Sequence, residues 1–145
     1  MLLGCFAGCM RQVQNMKEAR HNAYGMPDKL SWGENIEGVL AEMALAKALN
    51  KYWCGKGEFG DVDIRPDIEC RSSSGHDNRL ILHKRDKDER KFYLITGQRG
   101  NYEVKGWCYG HDGKKTNFYD DPTGKNRPAY FVPQSELKSP ARIWN

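Results

Sequence analysis

Long apolar runs are absent from this sequence, and none approaches the roughly 18 residues that a membrane-spanning helix needs. A secretory signal is not expected either, because the mildly apolar start, Met1 to Met10, is short and lacks a basic n-region. Residues 2–5 (LLGC) mimic a lipoprotein cleavage box, but no signal peptide precedes them, so ordinary N-terminal structure or a tail is expected. The sequence therefore predicts a protein without a membrane partner.

The sequence also lacks the spacings of a zinc site, a disulfide framework or a phosphate-binding loop. Its five cysteines contain no C-x-x-C pair, which argues against zinc and favours reduced thiols in a cytoplasm-like compartment. None of the four histidines lies at a metal-binding spacing from a cysteine; they are His21, His76, His83 and His111. Residues 97–100 (GQRG) lack the Gly-Lys-Ser/Thr end of a phosphate-binding loop, so a turn between strands is expected there.

Charge is unevenly distributed along the 145 residues. Residues 1–83 hold 10 Lys and Arg against 11 Asp and Glu, whereas residues 84–145 hold 13 against 8. An acidic half beside a basic half suits a metal site that faces a polyanion, although an ordinary solvated surface explains the same charges equally well. The length and the 39% hydrophobic content fit one globular domain.

Two helices are predicted in the first third of the chain. Apolar residues recur at helical spacing over residues 10–21 and predict a first helix there. Residues 22–30, which hold a glycine and a proline, are predicted to form a loop. Ser31 followed by Glu34 forms a capping box, so a second helix is predicted over residues 31–50.

Short strands separated by turns are predicted after the helices, at Phe59–Ile64, Ile68–Ser72, Arg79–His83, Lys91–Thr96 and Tyr102–Tyr109. The all-charged residues 84–90 look like an exposed hairpin tip between the third strand and the fourth. A last short strand is predicted at Ala129–Val132, and a final helical turn at residues 133–137. This order predicts one α+β or mixed α/β domain over residues 1–145, with an N-terminal helix and loop in 1–30 and a core over about 31–137.

Glu42 lies on the face of the second predicted helix that is expected to pack. Its neighbours three and four residues away are all apolar: Gly38, Val39, Leu45 and Ala46. A buried carboxylate is costly unless it is paired or binds a metal. Glu42 is therefore a candidate site residue, and a position at the solvent edge of the apolar face is the alternative.

Acidic residues also collect on one face of the first predicted hairpin. Alternation places Asp61 and Asp63 on one face of its first strand, and Glu69 and Arg71 on one face of its second. With a three-residue connection at residues 64–66, Asp61 faces Glu69, and opposed carboxylates repel unless a cation lies between them. A two-residue loop would shift this register, and an acidic solvated face is the alternative to a site.

The three features together are more specific than any one of them. In chain order they are a helix glutamate, a strand aspartate and a Glu-x-Arg on the next strand. Such oxygen ligands suit Mg²⁺ or Mn²⁺. The chemistry would be phosphodiester hydrolysis, in which the metal polarises the phosphoryl oxygen and activates water, and a nearby cation offsets charge on the transition state.

Asp61 followed by Glu69-Cys70-Arg71 resembles the D…(D/E)-x-K signature of the PD-(D/E)XK nuclease superfamily. Residues 38–44 (GVLAEMA) are similar to the G-E-x-A type helix of small phage and prophage members. Residues 102–107 (YEVKGW) and 129–133 (AYFVP) also look like the tail of such proteins.

The resemblance covers roughly residues 34–137 and implies a restriction-endonuclease-like core, a central mixed or antiparallel sheet of about five strands flanked by helices. It implies that Glu42, Asp61 and Glu69 hold the metal, with the Cys70 backbone carbonyl as a further ligand and Asp63 as the alternative to Asp61. The implied substrate is DNA, in the cytoplasm of a bacterial host or phage-infected cell.

Arg71 stands where the superfamily has lysine. Arginine can hold a phosphate or a transition-state charge with its fork of donors, but it cannot easily lose a proton to act as a base. Three hypotheses stay open. The lysine serves only electrostatically, another cation such as Lys84 replaces it, or the protein is a degenerate member that binds nucleic acid or a protein without cleaving.

The basic second half supplies candidate contacts for nucleic acid: Lys84, Arg85, Lys105, Lys114 and Lys115. Aromatic residues lie among these cations at Tyr102, Trp107, Tyr109, Phe118 and Tyr119. They could form a stacking surface for bases, although core packing is the commoner role for aromatics at alternate strand positions. DNA against RNA stays open, and a homodimer is expected only by analogy with other small nucleases.

Overall fold

A computed structural model describes residues 2–17, 28–55 and 62–140, in which two long helices precede two small β-sheets. The elements are α1 (Leu2–Lys17), α2 (Asp28–Ala48), β1 (Ile68–Ser73), β2 (Leu80–Leu82), β3 (Lys91–Gln98), β4 (Asn101–Tyr109), α3 (Gly110–Gly113), β5 (Tyr119–Asp120) and β6 (Ala129–Val132), with 3-10 turns at Thr116–Phe118 and Gln134–Glu136. The predicted α+β class is confirmed. No helix in the described ranges is long and apolar enough to span a membrane.

The two long helices pack closely because α1 presents glycines to α2. A Cβ at Gly8 would lie 2.7 Å from the Cα of Ile36, and one at Gly4 would lie 2.8 Å from the side chain of Leu40. The predicted start of the first helix at residue 10 is wrong, because α1 already begins at Leu2. Its two glycines lower the intrinsic helix propensity, and packing against α2 offsets that loss.

The second helix begins earlier than the sequence predicts. Asp28 to Leu30 belong to α2, so Ser31 lies inside the helix and the capping box predicted with Glu34 is wrong. A capping side chain is needed only where backbone N–H groups lack a preceding helical turn, and Ser31 has one. The rest of the predicted loop, residues 22–27, lies outside the described residues.

The larger sheet has the strand order β1–β3–β4. Strand β1 runs parallel to β3, with Ile68 opposite Lys91, and β3 runs antiparallel to β4. Helix α2 covers one face of this sheet, where Leu45, Tyr93 and Ile95 belong to a first buried cluster. The expected turn at residues 97–100 is confirmed as the connection between β3 and β4.

The smaller sheet has the order β2–β6–β5, with antiparallel pairs throughout. Leu80, Leu82 and Val132 from this sheet form a second buried cluster with Phe92 and Leu94 of β3. Because alternate side chains of β3 enter the two clusters, this strand is buried on both faces. Strand β3 is therefore the element that joins the two halves of the core.

The strands occupy nearly the predicted positions but pair differently. The structure has two three-stranded sheets where the resemblance implies one central sheet of about five strands. The predicted hairpin around residues 84–90 is wrong, since β2 pairs with β6 and β3 pairs with β1 and β4. Local alternation identifies a strand, whereas its partner depends on contacts between distant segments, and for β2 that partner is the last strand.

Candidate carboxylate site

Glu42 lies on the packed face of α2, as the sequence predicts, and only 5% of its surface is exposed. Arg11 of α1 donates to both carboxylate oxygens, at 2.7 Å and 3.2 Å, and the Trp53 indole N–H lies 3.3 Å from one of them. Two guanidinium bonds and an indole bond offset the cost of burying this charge. Glu42 is thus a satisfied ion-pair partner and reaches into the interior between the helices.

Asp63, at a bend just before the isolated bridge of Ile64 with Ile68, is the aspartate that the described residues place in the site. Ile64 and Ile68 exchange two backbone hydrogen bonds of 3.1 Å and 3.0 Å, so residues 65–67 form the connection and Asp63 falls opposite Glu69. The predicted connection at residues 64–66 is therefore displaced by one residue. Asp61, the first choice from the sequence, lies outside the described residues, as does most of its predicted strand.

The Asp63 carboxylate is held by the next strand, since its Oδ2 accepts the backbone N–H of Cys70 at 2.7 Å. Its pKa is raised to about 7, chiefly by burial and then by the nearby charges of Glu42 and Glu69, which outweigh the lowering by the Cys70 N–H and Arg71. Burial and the same carboxylates raise the pKa of the Cys70 thiol well above its ordinary value. Glu42, Asp63 and Glu69 therefore form one electrostatic cluster, although they come from three chain segments.

Glu69 of β1 is 9% exposed and is neutralised by arginines on both sides. Arg90 donates to its Oε1, and Arg71 Nη1 lies 3.8 Å from its Oε2. Arg71 also pairs with Asp86 at 3.2 Å and lies over the Phe92 ring, 5.2 Å from the centroid. Arg71 is thus fixed between two carboxylates and an aromatic face, which only a planar guanidinium can contact together.

The donor set has the chemistry of a Mg²⁺ or Mn²⁺ site, but it is arranged as ion pairs. Within the described residues, no three His, Cys, Asp or Glu side chains are grouped so that they could hold a metal ion. Arg11 and Arg90 occupy oxygens of Glu42 and Glu69 that a metal would need. The carboxylate oxygens fit a hard cation, provided that these two arginines move aside.

Arg71 also lies at the wall of an open cleft of about 700 Å³ that residues of both sheets line. Its lining comprises Arg71, Ser72, Ser73, Asp77, Asn78, Arg79, Ile81, His83, Leu94, Asp120, Pro122 and Phe131. Arg71 therefore contacts Glu69 of the carboxylate cluster and also lines a space that a ligand can enter.

The lysines proposed as contacts for nucleic acid have different environments. Lys114 stabilises the charged loop at residues 84–88. Its Nζ donates to the backbone carbonyls of Lys84 and Asp86 and to Asp88 Oδ1, which lies at 2.8 Å. Lys105 Nζ lies 2.6 Å from Glu103 and 2.6 Å from His76, and its side chain is almost wholly buried. Neither presents a free charge to a polyanion.

The remaining predicted contacts lie at the surface. Lys84 Nζ stands 4.7 Å from the centre of the Tyr119 ring, and Lys115 Nζ stands 5.8 Å from that of Phe118. Arg85 is exposed in the same charged loop as Lys84. These three side chains remain available for a phosphate backbone, and two of them lie beside aromatic rings.

The sequence did not indicate Arg11, Arg90 or Asp86 as site residues. Arg11 stands on a helix where nothing in the local pattern separates it from an ordinary surface arginine. Arg90 and Asp86 belong to an all-charged segment in which every residue looks solvated. Their roles arise from ion pairs to residues far away along the chain, so no local signal could have identified them.

Comparison of the chain with protein-family models, with curated proteins and with solved structures finds no match in any of the three. The site therefore has to be interpreted from its own geometry and chemistry.

Proposed function

We propose that the protein is a divalent-metal-dependent nuclease that hydrolyses phosphodiester bonds in DNA, with a restriction-endonuclease-like core. One observation carries the proposal: the carboxylates of Glu42, Asp63 and Glu69 come from a helix, a bend and the neighbouring strand, and they interact beside Arg71. Their order along the chain matches the signature that the sequence resembles. Asp63 here takes the role that the sequence assigned first to Asp61.

Each residue has a distinct role in this proposal. Glu42, Asp63 and Glu69 would hold Mg²⁺ or Mn²⁺, which supplies a Lewis acid for the phosphoryl oxygen. Arg71, at the wall of the cleft, would hold the scissile phosphate and stabilise the charge that develops in the transition state. Arg71 is not the proton acceptor, because a guanidinium stays protonated throughout the working pH range.

The arginine pairs determine how metal can enter. Arg11 and Arg90 neutralise Glu42 and Glu69, so a divalent cation must displace a monovalent partner from each. A doubly charged ion attracts a carboxylate more strongly than a guanidinium at a similar distance. The exchange would release the Arg11 guanidinium from Glu42 and the Arg90 guanidinium from Glu69.

A second candidate function is a non-cleaving module of the same fold that binds nucleic acid or a protein. The observation that favours it is that Arg11, Arg71 and Arg90 already pair with carboxylates of the site. In that case the cluster would be a permanent ion-pair network, and the protein would bind a partner without any requirement for metal.

Calorimetric titration of Mn²⁺ into the wild type and Glu69→Gln separates the two candidates. The matched control is Glu136→Gln, which removes an exposed carboxylate from a 3-10 turn. The nuclease proposal predicts binding by the wild type and the control, and loss of binding in Glu69→Gln. The same three proteins are then incubated with plasmid and single-stranded DNA in Mg²⁺ or Mn²⁺.

Cleavage by the wild type and the control but not by Glu69→Gln supports the nuclease. Absence of both metal binding and cleavage in a folded wild type rejects it and leaves the binding module. Cleavage that survives in Glu69→Gln would show that the carboxylate cluster is not the active site.

A further inference from the structure

The cleft beside Arg71 has an apolar floor that the core does not use. In the smaller sheet Leu80, Leu82 and Val132 point into the second buried cluster. Ile81 and Phe131 are paired across β2 and β6 and, by alternation, face the other way. Both are only partly buried and both line the 700 Å³ cleft, so a branched aliphatic side chain and an aromatic ring are offered to a ligand.

The polar lining supplies donors and acceptors around this floor. Two arginines, Arg71 and Arg79, bring positive charge, and Asp77 and Asp120 bring carboxylates. Within the described part of the chain Arg79 is exposed and forms no ion pair, in contrast to Arg71. Burial lowers the pKa of His83, so its imidazole is neutral and adds no charge at neutral pH.

This combination fits one nucleotide better than a purely ionic or purely apolar ligand. A cavity of this volume accommodates a molecule of nucleotide size, with an apolar surface for one part and a few polar groups for orientation. The Phe131 ring can stack on a base only if that base has left its own stack, because neighbouring bases cover both faces in a duplex. The cationic groups can take the phosphate, and the carboxylates can accept hydrogen bonds from amino or hydroxyl groups.

We propose that the cleft beside Arg71 binds one unpaired nucleotide of a nucleic acid strand, with its base against Phe131 and Ile81 and its phosphate near Arg71 and Arg79. The inference rests on the proposed function, from which the choice of a nucleotide as ligand comes. It adds the substrate class: a single strand, an end or an unpaired base rather than an intact duplex.

The test is fluorescence anisotropy in a chelating buffer, so that neither metal nor cleavage is needed. A labelled single-stranded oligonucleotide is compared with the same strand in a duplex, using the wild type, Phe131→Ala, Phe131→Leu, Arg79→Gln and the control Lys125→Gln, which removes an exposed cation that does not line the cleft. Circular dichroism verifies that each variant is folded, and Phe131→Leu keeps an apolar residue if the alanine variant fails to fold.

We expect the wild type to prefer the single strand, and either Phe131 variant to weaken that binding, by roughly 5- to 100-fold for alanine. Arg79→Gln should weaken binding and lower the slope of log K against log salt by about one. Lys125→Gln should match the wild type. Equal affinity for strand and duplex, or unchanged binding in folded Phe131 variants, overturns the inference.

A mononucleotide competitor separates a strand site from a site for free nucleotides. Displacement of the oligonucleotide only at concentrations well above the Kd of the strand supports the strand site, whereas tight mononucleotide binding without strand binding rejects it. Failure of the proposed function is a different result. It gives Phe131-dependent strand binding without cleavage in any metal, whereas failure of this inference alone gives cleavage that is indifferent to Phe131.

Discussion

At the scale of single residues, Asp63 is a carboxylate whose ionised form is disfavoured both by burial and by neighbouring negative charges. Burial and two neighbouring carboxylates raise its pKa to about 7, so the folded protein holds the proton more tightly than the unfolded chain does. The resulting stabilisation is complete below the unfolded pKa of 3.8 and is lost as the pH rises towards 7. A carboxyl group whose ionised form is disfavoured in this way at neutral pH is characteristic of a functional cluster.

Asp63→Asn should remove this pH dependence, because the amide keeps an oxygen for the Cys70 N–H but has no charge to desolvate. We expect the free energy of unfolding of the wild type to fall more steeply than that of the variant between pH 4 and pH 7. Above pH 7 the variant should be more stable by on the order of 1–3 kcal/mol. Urea denaturation at several pH values measures both, and parallel pH profiles would contradict the assignment.

Arg71 can be tested by changing its charge and its shape separately. If it stabilises the transition state electrostatically, Arg71→Lys should keep cleavage within about tenfold and Arg71→Gln should lower kcat by roughly 100- to 1,000-fold. Arg90 still pairs with Glu69 in both variants, so the fold should persist. Single-turnover cleavage assays measure the effect, and full activity in Arg71→Gln would remove Arg71 from the mechanism.

At the scale of elements, the close contact of α1 with α2 positions one side of the site. Helix α1 delivers Arg11 to Glu42, and Gly8 allows the two backbones to approach. Glu37, also on α2, accepts the Arg99 backbone N–H and the Tyr102 hydroxyl, which ties the helix to the turn between β3 and β4. Helix α2 is therefore held both by α1 and by the larger sheet, and Glu42 with it.

Gly8→Ala should separate the helices, because the added Cβ would lie 2.7 Å from the Cα of Ile36. This clash is with a backbone atom, so no change of side-chain rotamer can relieve it. We expect a loss of roughly 1–3 kcal/mol in the free energy of unfolding. Gly33→Ala is the matched control within α2, since nothing lies within 4 Å of its added Cβ, and it should gain about 0.5–1 kcal/mol. Equal effects of the two substitutions, measured by urea denaturation, would mean that the close packing is unimportant.

At the scale of the whole molecule, β3 makes the two sheets interdependent. Phe92 and Leu94 enter one buried cluster, and Tyr93 and Ile95 enter the other. Because both clusters include alternate residues of a single strand, loss of either removes support from the other. The cleft beside Arg71 and the carboxylate site beneath α2 consequently share one scaffold.

Ile95→Ala should therefore destabilise the whole molecule and not only the helical side. We expect a loss of about 2–5 kcal/mol, with helical and aromatic circular dichroism signals lost in a single coincident transition. Thr116→Ala, at an exposed turn, should change stability by less than about 0.5 kcal/mol. Two separate transitions in Ile95→Ala would show that the sheets fold independently.

The sequence by itself determined the α+β class, the positions of Ile68–Ser73, Asn101–Tyr109 and Ala129–Val132 to within a residue or two, and the place of Glu42 on the packing face of α2. Each of these follows from periodicity among near neighbours, which the sequence displays directly.

Only the tertiary structure decided which strands pair, that Asp63 falls opposite Glu69, and that Arg11 and Arg90 neutralise the buried glutamates. Placing the connection one residue later moves every opposed pair by two positions, which no local pattern reveals. The ion pairs join residues 31 and 21 positions apart in the chain, so they exist only once packing has brought the helices and strands together.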